Sequence, residues 1–159
     1  MTNSGTASLR LGTRYCSRKV TDMKNLWLMK TEPGTYSFDD LVREGTTVWD
    51  GVSNPLALKH LRSMQKGDRV MIYHTGTEKA VVGTAEIVGN PGPPAGKKDT
   101  NLVVVEIRAA DRLQTSVTLQ AIKTDKAFAG FELVRLPRLS VMPVPKALWD
   151  KILRMGAQR

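Results

Sequence analysis

Apolar residues in this chain come in short runs separated by turn-forming clusters. Leu26-Trp27-Leu28-Met29 is the first such run, and Glu32-Pro33-Gly34-Thr35 closes it with turn chemistry, which predicts a buried strand. Thr46-Thr47-Val48-Trp49 is β-branched and aromatic and predicts a second short strand, which Asp50-Gly51 turns. Three more strands are expected at Arg69–Thr75, Lys79–Val88 and Leu102–Ile107. Gly83, inside the second of these, marks a bulge or a close approach by another element. A last short strand is expected at Leu139-Ser140-Val141-Met142, between Pro137 and Pro143.

Helical spacing appears between the strands. Ser37, with Asp40 three positions on and Asp39 beside it, predicts a capped short helix that Gly45 stops after Glu44. Residues 54–65 form the clearest helix: Asn54 or Ser53 as cap, Pro55 at the first position, and Ala57, Leu58, Leu61 and Met64 on one face. His60 is expected on its exposed side. Thr118 caps a turn or two through Ile122, and Asp125–Phe131 reads as irregular or helical. Trp149, Ile152 and Leu153 give an amphipathic helix from about Pro145 to Met155. Gly89–Thr100, with three prolines and three glycines, is a surface loop. The mixture predicts an α+β fold: a small barrel or strongly curved β-sheet with surrounding helices.

Length and composition fit one domain: 159 residues, 41% apolar and 25% charged. No apolar run is long enough to span a bilayer. One cysteine, Cys16, allows no internal disulfide, and with two histidines the soft ligands are too few for a structural zinc site. A cytoplasmic protein is the expectation. Residues 1–22 differ from the rest, being rich in Ser, Thr, Gly and Arg without a period. They read as a flexible extension, a targeting or phosphate-touching arm, or sequence upstream of a true start at Met23. The domain proper is taken as 23–159.

The net charge of +9 favours an anionic partner such as nucleic acid. Residues 1–24 hold five basic groups against one acidic, which leaves 19 against 14 for the domain. That excess is modest. No phosphate-binding glycine loop, nucleophile elbow or metal-ligand spacing occurs, so neither cofactor nor metal is expected. An aromatic and polar set stands out instead. Trp27, Lys30, Glu32, Tyr36, Trp49, Asp50 and Asn54 lie within 28 residues, at strand ends and turns. With Tyr73 they bring four of the nine aromatic residues towards one opening. Flat rings there would stack a nucleobase, Asp and Asn would read its edge, and Lys30 and His74 would reach a flanking phosphate. Packing of both tryptophans into the core is the competing reading.

The motifs Trp27-Leu28-Met29-Lys30-Thr31-Glu32-Pro33, Tyr36-Ser37, Trp49-Asp50-Gly51-Val52-Ser53-Asn54, Gly67-Asp68 and Tyr73-His74-Thr75, in this order, resemble the EVE domain family. Leu139-Ser140-Val141-Met142-Pro143-Val144 and Trp149 fit it too, so the resemblance covers roughly residues 25–155. It implies a PUA-like fold and a non-enzymatic module that binds a modified base, notably modified cytosine, in DNA or RNA. Carried over by position, the base-pocket candidates are Trp27, Lys30, Glu32, Tyr36, Trp49, Asp50, Val52, Asn54, Tyr73, His74 and Thr75. The family commonly has Arg where this chain has Ser53, a contact this chain would lack.

On that reading Lys59, Arg62 and Lys66 on the second helix, and Lys97 and Lys98 in the loop, hold the nucleic-acid backbone without reading sequence. Two other classes compete. Lys30 and Glu32 share a strand face, with Thr31 on the opposite one, so a small hydrolase acting on modified nucleosides is the enzymatic alternative. The same two residues could instead form a structural ion pair. The third class is a protein-interaction adaptor.

Overall fold

The computed structural model describes residues 25–96 and 101–157. The first 22 residues, Met23, and the loop lysines Lys97 and Lys98 therefore lie outside the described residues.

The chain opens with β1 (Leu26–Thr31), whose consecutive residues Trp27, Leu28 and Met29 are all buried. A strand buried on both faces reads as an unbroken apolar run, as here. Helix α1 (Phe38–Glu44) begins at Ser37 with a capping box: Asp40 N–H donates to Ser37 Oγ at 3.1 Å and Ser37 N–H to Asp40 Oδ2 at 2.9 Å. Gly45 ends it at φ +82°, a left-handed value open to glycine. Then come β2 (Thr46–Trp49), α2 (Pro55–Ser63), β3 (Arg69–His74) and β4 (Ala80–Ile87). The chain finishes with β5 (Val105–Thr118), α3 (Leu119–Lys123), a 3-10 turn (Lys126–Phe128), α4 (Glu132–Arg135), β6 (Val141–Pro143) and α5 (Lys146–Gly156).

One six-stranded sheet runs in the order β2-β5-β4-β3-β1-β6. Only β1 and β3 pair in parallel, Leu26 opposite Arg69 and Thr31 opposite His74. Strands β2 and β6 are its two edges, so the sheet is open rather than a closed barrel. It bends because its middle strands are bulged. Ala80–Ile87 of β4 faces Ile107–Thr118 of β5, with register breaks on either side of Gly83. A further break, opposite Ile72 and Tyr73, leaves Val82 as the extra residue. Gly83 is also a point of close approach: a Cβ there would sit 2.4 Å from the Phe38 ring. The Phe38 side chain of α1 thus rests on the bare backbone of β4.

The structure corrects two expectations and sharpens a third. The strand foreseen at Leu102–Ile107 is a 14-residue strand starting at Val105. Its outer half alternates poorly because most of it faces solvent and bulges interrupt the period. His60 is half-buried, its ring 5.9 Å from that of Trp27, and no group bonds its buried Nε2 among the described residues. Burial holds its imidazole below the ordinary value. The segment after Asp125 resolves into the 3-10 turn and α4, which bury Phe128, Phe131 and Leu133.

Candidate nucleic-acid interface

The bend sets one flank of the sheet against the other. Residues from β2 and from the end of β1 line a single cleft although three strands separate them in the sheet. The cleft occupies the seam where a barrel would have closed. Its volume is about 590 Å³, well within the range of small-molecule sites.

Lys30, Thr31 and Glu32 come from the end of β1 and Thr35 and Tyr36 from the following turn. Thr47, Val48 and Trp49 come from β2, Asp50, Gly51 and Val52 from the loop after it, and Ser140 from the turn before β6. Six of the eleven base-pocket candidates therefore meet here: Lys30, Glu32, Tyr36, Trp49, Asp50 and Val52.

The Tyr36 and Trp49 rings touch across the seam with centroids 6.2 Å apart and planes at 83°. Tyr36 is held from below by the turn, where Thr31 Oγ1 donates to the Tyr36 carbonyl at 2.6 Å. Its hydroxyl donates to Glu44 Oε1 at 2.7 Å. Burial, and then the bond to Glu44, raises the Tyr36 phenol above its ordinary value. Trp49 keeps only 8% of its surface exposed, whereas Asp50 beside it is exposed.

Lys30 and Glu32 do not pair with each other among the described residues. Lys30 Nζ donates to the Pro137 carbonyl at 2.8 Å and lies 5.6 Å above the Tyr73 ring. Burial pushes its ammonium below the ordinary lysine value. Glu32 Oε1 accepts from Thr75 Oγ1 at 3.0 Å. The structural ion pair expected as one use of these two residues is absent, because each has a separate partner.

The other five candidates do not line the cleft. Trp27 is a core residue whose Nε1 donates to buried Asp68 Oδ2 at 3.0 Å. Tyr73 is buried under Lys30, and burial raises its phenol. His74 is buried too: its Nε2 accepts from Phe38 N–H at 3.0 Å, so Nδ1 carries the proton towards Glu78 Oε1 at 2.7 Å. Asn54 is the α2 cap, its Oδ1 accepting from Leu56 and Ala57 N–H. Thr75 stands behind Glu32. Tyr73, His74 and Thr75 thus support the walls rather than form them.

Lys59 and Lys66 are exposed, and Arg62 donates to the Asn101 carbonyl at 2.8 Å, tying α2 to the loop before β5. Sequence reasoning missed the hydroxyls of Thr35, Thr47 and Ser140. Small polar residues at strand ends carry no pattern of their own. It also missed Arg135 and Arg138, which border a neighbouring groove with Asn54 and Leu56.

The sequence profile of the EVE domain matches residues 25–155. The chain belongs to the EVE domain family. This EVE domain is 28% identical to thymocyte nuclear protein 1 of the rat, with 96% of this chain and 85% of that protein covered. Among solved structures it resembles a Rhodopseudomonas palustris protein at 37% identity and TM-score 0.79, covering 83% of this chain and 92% of that one. Human THYN1 protein in complex with 5-methylcytosine containing DNA matches at 25% identity and TM-score 0.76, covering 86% and 99%. An ASCH protein from Zymomonas mobilis shares the fold at TM-score 0.54, covering 82% and 95%. The EVE domain described here thus has the PUA-like architecture, with its sheet curled into a half-barrel.

Proposed function

We propose that this protein binds DNA through a single modified base, of the 5-methylcytosine class, held in the seam cleft, and that it does so without catalysis. The observation that carries the reading is the corner formed by Tyr36 and Trp49, with the exposed Asp50 carboxylate beside it. The human relative's complex with 5-methylcytosine containing DNA supports the choice of ligand.

Rings at 83° to one another do not sandwich a base. A base stacks on one ring and meets the other edge-on. Stacking on one aromatic ring is worth about 1–3 kcal/mol. The Asp50 carboxylate accepts from the cytosine amino group, a matched pair of charge and geometry. Lys30 spends one of its three donors on the Pro137 carbonyl, which leaves two for the base's carbonyl oxygen or a phosphate. Val48, 53% exposed, and Val52 supply apolar wall for a methyl group. Burying that methyl contributes about 0.8 kcal/mol, roughly fourfold in affinity. Sharper selection requires a clash or an unpaired polar group against other bases.

Separate partners for Lys30 and Glu32 support binding over hydrolysis, since no acid–base pair is assembled between them. The test is fluorescence anisotropy with matched DNA oligonucleotides carrying cytosine or 5-methylcytosine, and RNA of the same sequence. Tighter binding of the methylated DNA is expected, weakening with salt. Equal, feeble binding across the panel overturns the reading, and release of a product from modified nucleosides overturns its non-catalytic part.

A further inference from the structure

A second hollow of about 360 Å³ lies alongside the cleft. Its floor is apolar: Leu56, Leu136, Pro137 and Leu139. Arg135 and Arg138 border it, and no acidic side chain lines it. The two hollows adjoin, although no residue lines both. Pro137, whose carbonyl holds Lys30 of the cleft, also lines the groove, and Leu139 of the groove precedes Ser140 of the cleft. On the other side Val52 lines the cleft and Asn54 the groove, two residues on.

Leu56 is 39% exposed, one of the few large apolar side chains left uncovered. It sits in the first turn of α2, where Asn54 takes its N–H, so its place is fixed by the cap. Arg135 Nε donates to the Gly130 carbonyl at 3.2 Å, which orients that side chain. Arg138 is exposed and has no ion-pair partner among the described residues.

We infer that this groove is a second nucleotide subsite: it receives the base next to the one in the cleft on its apolar floor, with the intervening phosphate at Arg138. The inference rests on the proposed base-reading function. An aliphatic floor covers the face of a base without reading its edges, and an unpaired guanidinium holds a phosphate without reading sequence. Continuity with the cleft says which strand occupies it. The groove therefore contributes affinity for the strand around the modified base and no discrimination of the modification.

Two independent variants test it. Leu56→Asp places a negative charge on the floor at a helix N-terminal position, where an acidic residue favours the helix, so folding is retained. Arg138→Ala removes an exposed cation. The probes are free 5-methyl-2′-deoxycytidine and a short single-stranded DNA with one central 5-methylcytosine. Each variant is expected to weaken the oligonucleotide severalfold and to leave the nucleoside within about twofold. Arg138→Ala is also expected to lower the salt slope of oligonucleotide binding by about 0.7. Unchanged oligonucleotide affinity in both variants overturns the subsite. An equal fall for nucleoside and oligonucleotide overturns it too, because the damage would then lie in the cleft. Failure of the parent protein to bind either probe removes the base-reading function itself, an outcome distinct from both.

Discussion

The phenol ring of Tyr36 stands edge-on to the indole of Trp49, centroids 6.2 Å apart, although one follows β1 and the other ends β2. No backbone pairing joins these flanks, since β2 and β6 are both sheet edges. The ring contact therefore spans the open seam. Edge-to-face pairs contribute about 0.5–1.5 kcal/mol beyond simple burial. The same contact fixes the angle between the two aromatic walls of the cleft.

Tyr36 separates ring from hydroxyl. Tyr36→Phe removes the bond to Glu44 and keeps the ring, so binding of methylated DNA is expected to stay within about twofold, with stability falling by no more than about 1 kcal/mol. Tyr36→Ala removes the wall and is expected to weaken binding about tenfold or more. Anisotropy titrations and thermal melts of the two variants check this. Equal losses in both would transfer the role from the ring to the hydroxyl.

Gly83 is the point where α1 meets the sheet. An added Cβ would lie 2.4–2.7 Å from three atoms of the Phe38 ring. The ring is fully buried and has no room to retreat, so Gly83→Ala is expected to cost about 1–3 kcal/mol by overpacking. Phe38→Leu in the same background should restore part of that loss by withdrawing ring atoms. A melting temperature unmoved by Gly83→Ala would show that α1 shifts freely over β4.

Much of this architecture is legible in the chain, and the illegible parts have physical reasons. Ser37, Asp40 and Gly45 announce α1 because capping is local chemistry between neighbours. Strands β1 and β3 announce themselves because both faces are buried. Strand β5 does not: Arg108, Asp111 and Arg112 lie along its exposed side, and bulges break its alternation. At the site the difficulty is different. Trp27 and Trp49 look alike in sequence, each ending or opening a short apolar run. What separates them is Asp68, 41 positions from Trp27, which claims one indole for the core. A bond at that separation leaves no local signal.

His74 does not line the cleft but braces the start of α1. Its Nε2 accepts from the Phe38 N–H at the start of α1, two residues after Tyr36. His74→Phe removes the acceptor and leaves a buried donor unpaired, which costs about 1–3 kcal/mol. Loosening the start of α1 also loosens Tyr36, so affinity should fall severalfold together with stability. His74→Gln, whose amide oxygen offers an acceptor near the same place, should recover part of both. Amide exchange at Phe38, read by NMR, distinguishes this from a direct contact with DNA: exchange unchanged in His74→Phe would reject the brace.

Lys30 links pH to binding and to stability with opposite signs. Burial holds its ammonium below the ordinary lysine value. The native state therefore releases this proton more readily than the unfolded chain does. Below the lowered value the half-buried charge opposes folding, and that opposition disappears as pH rises towards the unfolded value. Stability attributable to this group thus increases with pH. Binding runs the other way, because a phosphate or the base's carbonyl oxygen is held best by the protonated donor. Affinity for methylated DNA is expected to fall on the alkaline side, beginning below the pH at which an unperturbed lysine titrates. The raised phenols of Tyr36 and Tyr73 remain protonated there. An oligonucleotide of adenine and cytosine derivatives keeps its bases neutral over the same range. Lys30→Met should flatten the alkaline limb and lower affinity at neutral pH, while losing the bond to Pro137 costs about 1 kcal/mol of stability at most. If the variant and the parent protein lose affinity in parallel as pH rises, Lys30 is not the group that holds the ligand.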